Sequence, residues 1–276
     1  AGFIFPVINA QIAIIEQKTN KILLPVTQAF FSAGSLFGAL GAALFIKLIP
    51  DPRITFFIVG SMFLFFSIIY YFFGLRKIYE EDEKVEKFKI PEKNILIYGF
   101  LLMMNFATLG IIIDWSPVWL TKDLSAPLFL GGLAIMFFNA GEIIARVSAS
   151  KLINRFGEII IGSYFSIVSC VILFITILTM NLNIILFGVL IFGFGTANFV
   201  AIVLRQAISE SNEGISLTVS NLITLGFGGF IFGPVVVGYL AEFISLTFNM
   251  YLLSVIWGFN GLALFYLIKR NKNQKT

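Results

Sequence analysis

Long apolar runs joined by short polar connections constrain this chain most, because most of the runs are long enough to cross a lipid bilayer. One segment, residues 75–94, breaks the pattern with a dense mixture of Lys, Arg, Glu and Asp. Such a segment cannot lie in hydrocarbon, so it must sit in water on one side of a membrane. Only 12% of the residues are charged, whereas a soluble domain keeps roughly a quarter. The sequence predicts an all-α membrane protein, a polytopic helical bundle.

The apolar runs divide the chain into two unequal parts. Before the charged segment lie a short run at 1–16 and two spans at 22–49 and 54–74. After it lie six spans, at 95–120, 127–150, 158–180, 183–208, 215–241 and 246–268. We therefore predict a remainder of an N-terminal helical half (1–74), a linker (75–94) and a complete six-helix C-terminal half (95–276). Because the chain opens in apolar sequence without an initiator Met, we expect earlier spans to be missing.

The distribution of basic residues predicts which way the chain is oriented. If the spans alternate, only Lys47, Arg53 and Lys122 of the 19 Lys and Arg residues lie on the side opposite the linker. Basic residues accumulate on the cytoplasmic side, so the linker and the C-terminus are predicted to be cytoplasmic, in a cytoplasmic (inner) membrane. Trp115 and Trp119 then fall at the outer end of their span, where interfacial tryptophans are expected.

The composition excludes several classes of function. There is no His, and Cys170 is the one Cys, so His-based catalysis, His-ligated metals and thiolate metal clusters lack their residues. The basic residues flank apolar spans instead of forming a stripe, which argues against nucleic-acid binding. We predict no enzyme, no catalytic residue, no metal site and no cofactor.

Two ionisable side chains inside one span are the strongest functional candidates, because an intramembrane charge is costly. Glu142 and Arg146 are four residues apart, so they share a helix face and can pair. Asn139 and Ser150 extend the same ridge. Two interpretations stay open: a gating or relay ridge on a central cavity, or a structural pair that locks this helix to a neighbour.

Other polar residues in the spans are weaker candidates. Asp114 is either a protonation or substrate site at the outer mouth, or a helix-end residue beside Trp115. Asn105 and Thr108 lie on one face of their helix, and Asn198 and Arg205 are seven apart and nearly aligned. For the Asn residues the alternative is an ordinary interhelical hydrogen bond.

Small residues mark predicted packing or bending points. Gly34 and Gly38 form a small-xxx-small pair, as do Gly229 and Gly233, and Pro234 follows the second pair. Glycines let helices approach closely, and a proline removes one helical hydrogen bond and permits a kink.

Several stretches resemble a known family when taken in order. They are Asn9-Ala10-Gln11 with Glu16, Ser32-Ala33-Gly34, Asp114-Trp115-Ser116, Arg146 with 152–157 (LINRFG), 193–198 (GFGTAN), and Thr224-Leu225-Gly226 through Gly233-Pro234 to Leu240-Ala241-Glu242. The ordered set resembles the major facilitator superfamily, in particular its fucose-permease-like bacterial branch. The resemblance implies that about three and a half leading helices are absent.

The resemblance also implies a function. It is a secondary carrier in the lipid bilayer that moves a small-molecule solute by alternating access, with protons as candidate coupling ions, and we expect a monomer. The family's fourth, seventh and tenth helices line its cavity, which makes Asn9, Asn105, Thr108 and Asn198 substrate candidates. The coupling or gating candidates are Asp114, Glu142, Arg146, Arg155 and Arg205.

This chain departs from the branch at several positions that matter for coupling. Phe5 and Leu109 stand where the branch carries acids, Gln28 where it carries His, and Ala201 where it carries Pro. Ser150 and Asn154 replace the aspartates of the loop motif. These positions therefore do not support proton coupling by the branch's usual carboxylates. Two alternatives to solute uptake stay open: the efflux of a drug-like amphiphile, which the Phe-rich spans would tolerate, and a receptor or scaffold that does not transport.

Overall fold

The structure is a computed structural model, and it describes residues 4–48, 51–73, 91–127 and 130–275. The described part folds into ten α-helices, one of which is preceded by a π-helical segment, and it contains no β-strand. The elements are α1 (Ile4–Thr19), α2 (Leu24–Leu48), α3 (Pro52–Phe73), α4 (Lys93–Lys122), α5 (Leu133–Glu158), the π-helical segment (Ile159–Tyr164), α6 (Phe165–Leu178), α7 (Leu182–Thr196), α8 (Phe199–Glu210), α9 (Ile215–Phe243) and α10 (Leu246–Lys275). The predicted all-α fold is confirmed. Residues 75–90 of the predicted linker lie outside the described part.

Six helical stretches of the described residues are long and apolar enough to cross a membrane. One of them, Leu133–Leu178, has 46 residues, which at about 1.5 Å per residue would far exceed a hydrocarbon core of about 30 Å. It bends at Gly157, whose φ of 80° and ψ of 164° are not helical. The stretch therefore supplies two spans, and the chain is a multi-pass membrane protein.

The span predicted at 183–208 is confirmed as the apolar helical stretch Leu182–Glu210, which a short turn interrupts. Helix α7 ends at Thr196 and α8 begins at Phe199, so a turn at Ala197 and Asn198 separates them. Asn198 and Arg205 therefore do not share one continuous helix with the residues before them.

The two ends of the bundle are defined here by α4. The end where α4 begins, at Lys93, is called the linker end, and the end where it finishes is called the Trp119 end. At the Trp119 end the indole Nε1 of Trp119 donates to Thr247 Oγ1 at 2.9 Å, and Asp123 Oδ2 accepts from Thr247 N at 2.7 Å. Trp119 is only 1% exposed, so its ring packs inside the protein near the end of α4, and its position at the membrane interface stays a prediction. The indole N–H donates to an acceptor inside the protein, so burying the ring leaves no unsatisfied polar group.

Helices α4 and α9 form a close seam at the predicted glycines. A Cβ on Gly229 would lie 1.8 Å from the carbonyl oxygen of Met103, and one on Gly233 would lie 2.8 Å from Ala107 Cα. Only residues without a side chain permit this approach of two backbones. At Gly34 and Gly38, by contrast, a Cβ would meet no described atom within 4 Å. The packing role of that pair stays a prediction.

We predict that Gly229→Ala destabilises the protein although alanine favours a helix by about 1 kcal/mol over glycine. The added methyl group meets the Met103 backbone, and overpacking of this kind costs about 1–3 kcal/mol. The thermal melt of purified protein in detergent should shift downward. The matched control is Gly228→Ala, whose Cβ would have Met103 Sδ as its nearest neighbour at 3.8 Å. Equal melts for the two variants would contradict the close seam.

Candidate functional site

A cavity of about 250 Å³ lies among α1, α2, α4, α5, α8 and α9. Phenylalanines dominate its apolar wall, and a group of polar side chains from α2 and α5 forms the opposite side. The lining residues are Phe5, Gln28, Phe31, Ser32, Ser35, Phe106, Leu109, Ile113, Phe138, Asn139, Glu142, Arg146, Val200 and Phe230. The cavity therefore offers an apolar body and one concentrated polar patch.

An ion pair lies at the centre of the polar patch. Glu142 Oε1 and Arg146 Nη2 are 2.6 Å apart, and the two residues are 4% and 6% exposed. The pairing predicted from their four-residue spacing is confirmed. Removing two charges from water costs several kcal/mol each, and their attraction offsets this only when the remaining polar atoms are also bonded.

Neighbouring helices supply those further bonds. Ser32 Oγ donates to Glu142 Oε2 at 2.7 Å, and Arg146 donates to the Ser32 hydroxyl and, at 3.0 Å, to the backbone carbonyl of Gln28. Arg146 Nε donates to the carbonyl of Ala197 at 3.1 Å. Ala197 caps the C-terminus of α7, where carbonyls lack intrahelical partners and the helix dipole favours a cation. The α7–α8 break therefore provides a backbone carbonyl that accepts a hydrogen bond from the buried Arg146.

The ridge predicted on α5 faces α2 and the connection that precedes α2. Asn139 Nδ2 donates to Ser35 Oγ at 3.0 Å, one turn from the ion pair. Ser150 Oγ, at the other end of the ridge, donates to the carbonyl of Ile22 at 2.9 Å. Helices α2 and α5 therefore meet through hydrogen bonds instead of apolar side chains alone.

A second polar contact separates the cavity from the linker end. Gln28 Nε2 donates to Asn9 Oδ1 at 3.2 Å, and Asn9 is 0% exposed. Along α1, Phe5 lines the cavity, whereas Ala13 and Glu16, which follow Asn9, line another pocket that opens at the linker end. The Asn9–Gln28 contact thus lies between the two spaces.

Charged side chains connect the helices at the linker end. Arg205 on α8 bridges Glu16 at 2.5 Å and Glu158 at 2.7 Å. Glu16 also accepts from the backbone N–H groups of Leu23 and Leu24 at 2.8 and 2.9 Å, so it anchors the start of α2. This group of Glu16, Glu158 and Arg205, called the Arg205 cluster below, joins α1 and α2 to the helices that follow the linker.

Several predicted site residues lie elsewhere. Asn105 and Thr108 are buried beside the cavity but do not line it, and Asn198 donates to the carbonyl of Ala145 at 3.4 Å. Asp114 is exposed and has no hydrogen bond or ion pair within the described ranges, while Arg155 lies over the ring of Phe156. Their predicted roles are not tested by this geometry.

The α2 side of the cavity was not among the site residues predicted from the sequence. Gln28, Ser32 and Ser35 are spaced i, i+4 and i+7, which places them on one face of an otherwise apolar helix. That polar stripe was visible in the sequence, and it marks the face that meets Glu142 and Arg146.

The amino-acid sequence matches a known protein family. A sequence model described as the Major Facilitator Superfamily matches residues 1–228, well over half of the chain. The chain belongs to the Major Facilitator Superfamily. The superfamily resemblance is therefore confirmed, while the fucose-permease-like branch stays a prediction.

Three curated relatives are similar to this superfamily member. An uncharacterized MFS-type transporter of Yersinia pestis is 24% identical over 89% of this chain and 64% of its own length. An uncharacterized transporter of Sinorhizobium fredii is 21% identical over 85% of this chain and 63% of its own. The proton-coupled antiporter flippase LtaA of Staphylococcus saprophyticus is 24% identical over 98% of this chain and 70% of its own length. The chain thus spans less than two thirds of the first two relatives.

We predict that the ion pair is coupled energetically in a way that single substitutions reveal. Arg146→Met leaves Glu142 buried without its cation, and such loss costs about 3–5 kcal/mol. The double variant Glu142→Gln with Arg146→Met removes both charges, so its melting temperature should lie above that of Arg146→Met alone. If the double variant instead loses as much stability as the two single variants together, the two charges are not coupled.

Proposed function

We propose that this superfamily member is a secondary carrier that moves a small solute across the membrane by alternating access to the cavity between α2 and α5. The buried ion pair of Glu142 and Arg146 carries the proposal. It borders the cavity, and its further bonds reach α2 and the α7–α8 break. A solute that competes for these bonds can change how α2 meets α5, which links binding to helix movement.

The orientation follows from the charge distribution. With the linker and the C-terminus in the cytoplasm of an inner-membrane protein, the Arg205 cluster and the Asn9–Gln28 contact lie on the cytoplasmic side of the cavity. Phe31 and Ile113 on the cavity are 45% and 39% exposed. We infer an arrangement closed toward the cytoplasm, with residues 1–74 and 95–276 as the two moving halves of a monomer.

The lining favours a solute with little charge. Glu142 is the one carboxylate among the described cavity residues, and it is already paired with Arg146. Phe5, Gln28 and Leu109, which stand where the fucose-permease-like branch carries acids or His, all line the cavity. Glu142 is therefore our candidate proton carrier. The name of the Staphylococcus relative, a proton-coupled antiporter flippase, is consistent with proton coupling.

A second candidate function is the efflux of an amphiphile. Five phenylalanines, Phe5, Phe31, Phe106, Phe138 and Phe230, line the cavity, and aromatic rings bind apolar solutes as readily as they pack against one another. A neutral sugar would be bound chiefly by the polar patch, whereas an amphiphile would use both sides. A receptor or scaffold would give no flux of either.

We predict that Glu142→Gln lowers saturable solute flux at least about tenfold, because hydrogen bonds to charged groups contribute about 1.5–3 kcal/mol. The measurement is uptake of labelled neutral sugars and aromatic amphiphiles into proteoliposomes, with wild-type flux established first. Glu242→Gln is the matched control, since Glu242 is exposed at the end of α9. If Glu142→Gln inserts normally and transports at the wild-type rate, the ion pair is structural only. No saturable flux in the wild type would favour the receptor or scaffold.

A further inference from the structure

A second concave surface lies on the outside of the bundle, between α4 and α10, away from the cavity described above. Its volume is about 570 Å³, and its wall is apolar apart from Asn260 and, at one end, Lys93. Asn260 turns its amide inward and donates to the carbonyl of Leu101 at 3.2 Å. We call this surface the α4–α10 groove.

The rims of the groove are exposed on the outer surface of the described helices. Phe100 and Phe259 on its rims are 55% and 67% exposed, and both helices that form it are apolar enough to span a membrane. An apolar groove on such a surface is filled by hydrocarbon, because water cannot satisfy it there.

The length of the groove matches one leaflet. Its lining on α4 runs from Lys93 to Met104, which at the rise of an α-helix is about 16 Å. Half of a hydrocarbon core of about 30 Å is about 15 Å. Lys93 therefore sits at the depth of the headgroups when the groove is filled by one acyl chain.

The charges at the headgroup end favour an anion. Lys93 is exposed and has no hydrogen bond or ion pair among the residues that the structure describes. The adjacent carboxylate of Glu92 accepts from Asn212 at 3.2 Å. On the facing helix Arg270 does not line the groove, and it contacts Asn94 at 3.4 Å and pairs with Glu210 at 3.6 Å. Lys93 is the one charged residue among those that line the groove.

We propose that the α4–α10 groove is a binding site for an anionic glycerophospholipid, with an acyl chain along Phe100, Met104 and Phe259 and the headgroup phosphate at Lys93. The site belongs to the helices after the linker and does not depend on transport through the cavity. Anionic lipids are attracted by about 1 kcal/mol for each basic residue near the surface.

The test is lipid retention by the purified chain, measured by native mass spectrometry after incubation with equimolar phosphatidylglycerol and phosphatidylcholine. We expect phosphatidylglycerol to be retained preferentially and Lys93→Gln to lower its retention about fivefold. Lys122→Gln, at the opposite end of α4, is the matched control and should retain the wild-type amount. Unchanged retention in Lys93→Gln, or equal retention of the two lipids, would overturn the proposal.

A second variant tests the apolar part of the site. Ala263 is exposed on the groove wall, so Ala263→Phe should fill the groove and lower retention of both lipids, with an unchanged melting temperature as the folding control. Glycerol phosphate, which carries the headgroup chemistry without acyl chains, should not displace bound phosphatidylglycerol. Displacement by glycerol phosphate would show a phosphate site instead of a lipid site and would overturn the proposal.

Discussion

The buried ion pair of Glu142 and Arg146 is the constraint on which this arrangement of helices depends. Two charges in an apolar helix bundle are tolerated only when nearly every polar atom of both side chains is bonded. Here α5 provides the pair, α2 provides Ser32 and the carbonyl of Gln28, and the end of α7 provides the carbonyl of Ala197. The break between α7 and α8 and the position of α2 both follow from that requirement.

Two kinds of helix contact occur in this protein, and they suit different roles. The seam of α4 and α9 is made by backbones in contact at Gly229 and Gly233, and separating it would open voids that nothing fills. The seam of α2 and α5 is made by hydrogen bonds among Ser32, Ser35 and the α5 ridge. Because water or a solute can replace hydrogen bonds one at a time, the second seam is the one suited to open and close.

The sequence was informative where interactions are local. Apolar runs located the helices, and the four-residue spacing of Glu142 and Arg146 located the ion pair. Contacts between distant residues were not predictable in this way. Arg205 was singled out, but its partner Glu16 lies 189 positions earlier. The hydrogen bond of Trp119 joins it to Thr247, which is 128 positions away. The polar stripe of α2 was accessible in principle, since Gln28, Ser32 and Ser35 share one helix face.

The central claim is that α2 and α5 must separate during the transport cycle, and a reversible cross-link tests it most directly. Ser35 and Asn139 touch across this seam at 3.0 Å, so cysteines at both positions, in a Cys170→Ala background, can be joined by oxidation or by a short bifunctional thiol reagent. We predict that the joined protein loses saturable flux in proteoliposomes and that cleavage of the link restores it. Each single-cysteine variant should show the same flux before and after the treatment. Wild-type flux through the fully joined protein would contradict the account.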